Sequence, residues 1–231
     1  MKTFTIGDIH GAHKALLQCL ERSKFNYDQD RLIVLGDVCD GWPEVNKCFD
    51  ELLKIKQLDY IIGNHDIWAR DWATKGVKEE VWLVQGGYNT VASYKGKMPK
   101  AHIDLLQNAH PWIEFDHKLF VHGGFDYRRP LSQQKLVTFA WDRQLVIDAR
   151  KKSFTDPKYR FGPYERIFVG HTTTIVFYAL EPLKFCNVWA LDTGAGWNGK
   201  LTIMDVATEK YWQSDIVPKL YPDSSGRMTT H

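Results

Sequence analysis

Eight residues able to hold metal ions or move protons stand at or near the ends of short apolar runs: Asp8, His10, Asp37, Asp40, Asn64, His65, His122 and His171. Asp8 and His10 are two apart on an extended stretch, so their side chains share a face and could grip one ion. Asp37 carries two carboxylate oxygens and could bridge two ions. Carboxylate and amide oxygens favour hard cations, and imidazole suits iron, zinc or manganese. The donors outnumber what one ion needs. A pair of ions roughly 3.5–4 Å apart is the economical reading, and such pairs serve in-line phosphoryl displacement. Only Cys39 falls near these ends, which argues against a structural zinc site. Taken singly, each of these residues could be a turn or cap. Asp40 in particular could cap a helix starting near Pro43.

The runs that carry these residues are strand-like. "KTFTIGDIH" (2–10), "LIVLGD" (32–37), "YIIGNHD" (60–66), "LFVHGG" (119–124), "IFVGH" (167–171) and "VWALDTG" (188–194) each join a few Ile, Val, Leu or Phe to a glycine, a ligand-type residue or both. Such runs suit strands buried on both faces of a sheet. Between them, 13–23 and 43–55 place apolar residues at helical spacing, with Pro43 in a first helical turn. Strand–helix–strand–helix–strand predicts a parallel sheet. In such a sheet, ligands bind beyond the carboxyl ends of the strands, so distant residues converge on one rim. Residues 67–116 read as a mostly helical insertion, 131–151 as helical, and 175–213 as antiparallel hairpins. A single domain over 1–217 is expected, followed by a polar, frayed tail over 218–231.

Composition narrows the partners. The 231 residues carry 30 basic and 28 acidic side chains, a net charge of +2, so no electrostatic footprint for nucleic acid or an anionic membrane is present. No apolar stretch reaches membrane-spanning length. Four unpatterned cysteines, Cys19, Cys39, Cys48 and Cys186, suit free thiols and a cytoplasmic location. His13 reads as an exposed helix-start residue, and His102, His110 and His117 as surface histidines. Asp192 reads as a turn residue or a neighbour of the ligands.

In order, the chain carries "GDIHG", "GDVCDG", "GNHD", "HGG" and "GHT". This resembles the calcineurin-like metallophosphoesterases, and most closely their phosphoprotein-phosphatase branch in its bacterial and phage-type members, over about residues 2–206. The resemblance implies an α/β sandwich of two mixed sheets flanked by helices. It also implies a phosphatase acting on a phosphoprotein or small phosphate ester with two divalent ions, Mn²⁺ first, Fe or Zn as alternatives. One ion would take Asp8, His10 and the bridging Asp37; the second would take Asp37, Asn64, His122 and His171. A hydroxide between the ions would attack phosphorus. His65 would protonate the leaving group, oriented by Asp40. A second histidine found in the wider superfamily is here Thr173, as in the phosphoprotein-phosphatase branch.

One departure stands out. The family places an arginine that clamps phosphate after the second motif's last Asp, and here that position is Gly41, followed by Trp42. Arg143, in "AWDRQL", matches a Trp-x-Arg piece and is the first substitute. Arg70, Arg128 and Arg129 are weaker ones. The lost clamp, with stackable Trp42 and Trp68, leaves open a symmetrical dinucleoside polyphosphate hydrolase. A non-catalytic scaffold is a third reading, opposed by the complete ligand set.

Overall fold

A computed structural model describes residues 1–227. Ten strands form two five-stranded sheets. The first sheet has the order β10-β9-β1-β2-β3, with β1 Thr3–Ile6, β2 Arg31–Val34, β3 Gln57–Tyr60, β9 Thr202–Asp205 and β10 Tyr211–Gln213. The second has the order β4-β5-β6-β8-β7, with β4 Trp112–Phe115, β5 Lys118–Val121, β6 Arg166–Val169, β7 Leu183–Phe185 and β8 Val188–Ala190. In the first sheet β1, β2 and β3 are parallel, and β9 and β10 add an antiparallel margin on one side. The second has a parallel centre, β5-β6-β8, with an antiparallel strand at each margin. In the first, Ile6, Val34 and Tyr60 lie side by side in register. In the second, Val121, Val169 and Ala190 do the same. Six strands thus end in two level rows.

Alternation along the strands explains their unbroken apolar runs. Ile33, Leu35, Ile61, Met204 and Val206 from the first sheet meet Phe120, Phe168 and Leu191 from the second, and this layer fills the gap between the sheets. The rings of Phe120 and Phe168 stack at 4.9 Å. The alternate residues face helices. Phe4, Ile6, Leu32 and Val34 pack with α1 (His13–Ser23) and α2 (Val45–Leu52). Helices α3 (Asn64–Lys75), α4 (Glu80–Trp82), α5 (Tyr88–Ser93) and α6 (Lys100–Gln107) follow on that side. Leu119, Val121, Ile167 and Val169 pack with α7 (Leu136–Trp141) and α8 (Gln144–Ser153). A short α9 (Val217–Leu220) comes last.

Four sequence expectations change. The third strand sits on the less apolar "QLDY" of 57–60, while Ile61 and Ile62 continue past it to pair with His110. The helical stretch stops before residue 116, because Trp112–Phe115 turns back as β4 against β5. His102 is buried, stacked on Phe49 and bonded to Tyr94 and Asp50, whereas His110 and His117 are exposed. The segment after 217 is packed, not frayed, as far as Arg227. Tyr221 stacks on Trp42 at 5.2 Å, and its hydroxyl donates to Glu44 and accepts from the Lys14 amide. Residues 228–231 of the expected tail lie outside the described residues. Among the described residues, no helix is long and apolar enough to cross a membrane.

Candidate functional site

The two level rows of strand ends feed one cluster. Asp8 follows β1, Asp37 follows β2, and Asn64 and His65 open α3 just beyond β3. His122, His171 and Asp192 follow β5, β6 and β8. All seven are buried. Ligand atoms of Asp8, His10 and Asp37 lie within 4.8 Å of one another, and so do those of Asp37, His122 and His171. Asp37 belongs to both trios. Asn64 joins the second, its side-chain oxygen 3.1 Å from His122 Nε2.

Close backbone approach makes this convergence possible. A β-carbon at Gly63 would lie 2.1 Å from Asp37 Oδ1, and one at Gly170 would lie 2.2 Å from Asp8 Oδ1. Only glycine fits at either place. The ligand loops are also strained. His10, Asp37, Asp40 and His171 have φ values of 49°, 50°, 72° and 58°. Each such residue costs about 1–3 kcal/mol, persists only where its surroundings over-determine it, and is typical of functional sites. Here the surroundings are hydrogen bonds. Amides of Ile9 and His10 donate to the Asp37 carbonyl. The His171 amide donates to the Asp8 carboxylate at 3.1 Å. The Asp66 carboxylate accepts from the amides of Asp37, Val38, Cys39 and Gly63 at 2.8–3.1 Å.

Ring orientations follow from the same accounting. His10 Nδ1 donates to the Cys39 carbonyl at 3.0 Å, and His122 Nδ1 donates to the Leu35 carbonyl at 2.7 Å. A carbonyl only accepts, so Nδ1 holds the proton and Nε2 faces the cluster. His171 Nε2 is buried with no hydrogen-bond partner among the described residues. One ring nitrogen of His171 lies within 4.8 Å of the ligand atoms of Asp37 and His122, and a buried imidazole left without a partner at Nε2 fits a cation ligand.

The electrostatics point the same way. Burial first, and then Asp192, hold the Asp8 carboxyl well above the usual carboxylate range. Burial works against the Asp37 carboxylate too, but His122 and His65 override it and hold its pKa well below the usual range. Burial disfavours the His122 imidazolium, yet Asp37 pushes its pKa up to about 9. Burial and the neighbouring His122 push His171 down to about 2. Carboxylates this close and this dry are stabilised by positive charge among them. The donor set, the shared Asp37 and the unpaired His171 nitrogen therefore fit divalent cations.

Beside the trios lies a second unit. His65 Nδ1 is 2.5 Å from Asp40 Oδ2. The Asp40 carboxylate also accepts from Trp82 Nε1 at 2.8–2.9 Å and from the Thr90 hydroxyl at 2.6 Å. Asp40 is thus no helix cap; α2 starts at Val45 after Glu44. The His65 amide donates to Asp37 Oδ1 at 2.9 Å, tying this unit to the shared carboxylate. Trp82, Thr90 and Asp66 carried no assignment from sequence. Asp66 was visible as the last residue of "GNHD", and Trp82 and Thr90 as polar-capable residues in the helical segment.

A cavity of about 770 Å³ opens on the cluster, lined by His171, Thr172, Thr173, Asp192, Arg143 and Arg227 on its polar side and by Ile147, Ile175, Val176, Phe177 and Trp197 on its apolar side. Arg143 precedes α8, and its Nη1 donates to the His171 carbonyl at 2.7 Å. Arg128 is exposed and paired with Asp126, Arg129 is exposed, and Arg70 leans on Asp71; none of the three lines the cavity. Trp42 is fully buried, its Nε1 donating to the Ala195 carbonyl at 2.7 Å, so its faces are closed to a ligand. Trp68 is half-buried, edge-on to His65. Cys39 is buried, and burial followed by Asp66 pushes its thiol up, which leaves it unreactive.

Comparison with known proteins agrees with this geometry. The chain is 28% identical over 209 residues to "Serine/threonine-protein phosphatase 1" of Salmonella typhimurium, covering 87% of this chain and 89% of that protein. It is 28% identical over 192 residues to a symmetrical bis(5'-nucleosyl)-tetraphosphatase of Nitrosomonas europaea, covering 81% and 69%. A crystal structure provisionally identified as a diadenosine tetraphosphatase shares the fold, with a TM-score of 0.66 at 16% identity over 92% of both chains. Residues 1–178, which hold Asp8, His10, Asp37, Asn64, His65, His122 and His171, match the family of calcineurin-like phosphoesterases, and the chain belongs to that family.

Proposed function

We propose that this phosphoesterase is a phosphomonoesterase of the serine/threonine protein phosphatase type. The observation that carries the reading is the buried His65–Asp40 pair, at 2.5 Å, beside two ligand trios that share Asp37. Asp8, His10 and Asp37 would hold one divalent ion, and Asp37, Asn64, His122 and His171 the other, with Mn²⁺ as the first choice. Ions held there polarise phosphate oxygens and lower the pKa of the attacking water.

The chain's own residues do the rest. Asp40 keeps the His65 proton on Nδ1, so Nε2 is the nitrogen that hands a proton to the departing oxygen. Trp82 and Thr90 hold the Asp40 carboxylate aimed at His65 through the hydrogen bonds they donate to it. Arg143 stands at the cavity wall, where its planar fork suits two phosphate oxygens. A serine or threonine alkoxide is a poor leaving group and gains most from a proton donor. The anhydride of a dinucleoside polyphosphate leaves as a phosphate and gains less. The acid pair therefore favours the ester.

A second reading, a symmetrical dinucleoside polyphosphate hydrolase, is supported by the tetraphosphatase relative at equal identity. A Mn²⁺-supplemented panel of a phosphoserine peptide, an aryl phosphate and diadenosine tetraphosphate separates the two. The ester reading expects hydrolysis of the first two, abolished by chelation. Nucleotide release at a rate far above both esters would replace it with the second reading.

A further inference from the structure

Gly41 leaves the phosphate side of the site short of an arginine, and the fold brings one to that place from far along the chain. We propose that Arg227 grips the phosphate group of the substrate in this site, standing in space where a side chain from position 41 would project; the proposal rests on the phosphatase reading above.

Four observations carry it. A β-carbon at Gly41 would lie 3.1 Å from Arg227 Cγ, so the Arg227 side chain runs through the space next to residue 41. Gly41 itself has a φ of 84°, a conformation that disfavours a side chain there. The guanidinium lies among the site's own groups. Its Nη1 is 3.2 Å from His10 Nε2, its Nη2 is 3.4 Å from Gln85 Oε1, and it sits 4.6 Å over the Trp197 ring. It also lines the same cavity as Arg143, His171 and Asp192.

The third observation is spare donor capacity. A guanidinium has five N–H groups in a rigid fork. Here Nε is buried with no partner among the described residues, and the two Nη contacts are long. Moreover, the contact on His10 Nε2 uses the lone pair through which His10 would hold an ion. With an ion held by His10, Nη1 would be free of that contact, and the oxygens of a phosphate would be acceptors that suit the fork.

The fourth is that the approach is built. Tyr221 is stacked on Trp42 and bonded to Glu44. Gly226 passes against the Trp42 ring, where a β-carbon would come within 2.6 Å, and the Arg227 amide donates to the Gly196 carbonyl at 3.1 Å. Trp42, which replaces nothing in the chemistry, is thus the post around which this segment turns. The substrate class implied is a terminal phosphate dianion held between Arg143 and Arg227, with its organic part along the Ile147–Phe177 wall.

The test uses the full chain with Mn²⁺, as wild type, Arg227→Ala and Arg227→Lys. Inorganic phosphate binding is measured by calorimetry, alongside KM and kcat for an aryl phosphate, bound metal and melting temperature. The expected result is phosphate affinity weakened roughly 10- to 100-fold in Arg227→Ala, the weight of charge-assisted hydrogen bonds. Metal content and melting temperature stay near wild type, KM rises, and Arg227→Lys recovers part of the affinity. Unchanged phosphate affinity in Arg227→Ala overturns the proposal. A rise in kcat/KM overturns it too, because Arg227 would then be a plug on the ligand cluster. If the wild type binds phosphate but cleaves no ester, the phosphatase reading fails, and the calorimetry still decides the role of Arg227.

Discussion

His65 Nδ1 and Asp40 Oδ2 lie 2.5 Å apart, both side chains buried, and the His65 amide is bonded to the carboxylate that both ligand trios share. The His65–Asp40 pair and the cluster around Asp37 are therefore one mechanical unit. A shift of the loop that carries Asp37 moves His65 with it.

Replacement of His65 by Asn removes the donor and leaves the strand-end ligands. Turnover of a phosphoserine peptide is expected to fall by roughly 10²–10⁴-fold, the weight of general acid catalysis. The loss should shrink for an aryl phosphate, whose phenolate leaves without help. Rates across a series of leaving groups, together with metal content, check this. An equal loss for good and poor leaving groups rules out proton donation by His65.

Trp82→Phe keeps the ring in its buried slot and deletes the Nε1 donor to Asp40. Asp40 then loses one of its three side-chain donors in a dry site, at a cost of about 1–3 kcal/mol. Part of that cost should appear as a lower kcat with KM unchanged, since the His65 proton is less well held. A purely structural role would lower the melting temperature and leave kcat alone.

The sequence showed the strand ends clearly and the braces behind them poorly, for a physical reason. A buried parallel strand must be apolar on both faces and must stop at a turn, so Asp8, Asp37, His122 and His171 were marked by where their runs ended. The braces lack such a frame. Trp82 reads as one more helical aromatic until its Nε1 is seen on Asp40. His102 reads as a surface histidine until Asp50 and Tyr94 are seen around it. The strand of 57–60 was displaced by a few residues because Ile61 and Ile62 are more apolar than the strand itself. Arg227 gave no signal, because nothing local links it to Gly41; the link is the turn around Trp42.

Asp66→Ala tests the brace under the shared carboxylate. Four buried amides lose their acceptor. Unpaired buried donors cost about 1–3 kcal/mol each and partly relax together, so a loss on the order of 3 kcal/mol in urea unfolding is expected. Metal affinity should fall as well, because Asp37 is held at a φ of 50° by this clamp. A variant of wild-type stability would mean that the amides find other partners.

Trp42 and Trp68 separate stacking on a base from packing. Trp42 is enclosed by Tyr221 and Ala195, so Trp42→Ala should cost about 3–5 kcal/mol of stability without a selective effect on nucleotide substrates. Trp68 is half-open beside His65. If diadenosine tetraphosphate is cleaved at all, Trp68→Ala should raise its KM and leave that of an aryl phosphate unchanged. A selective nucleotide defect in Trp42→Ala would contradict the burial seen here.

Divalent ions should stabilise the fold, and the shared carboxylate should carry the effect. Asp8, Asp37 and Asp192 are buried together, and their mutual repulsion is relieved by a cation. An ion that binds only the folded chain adds about 2.7 kcal/mol at a hundred times its dissociation constant. For a chain of this size that is a rise of roughly 5–10 °C in melting temperature. Chelation should reverse it. Asp37→Asn keeps the shape but loses the charge common to both trios, and should lose most of the rise. A rise of the same size in Asp37→Asn would place the stabilising ion elsewhere, and no rise in the wild type would remove the cation reading of the two trios.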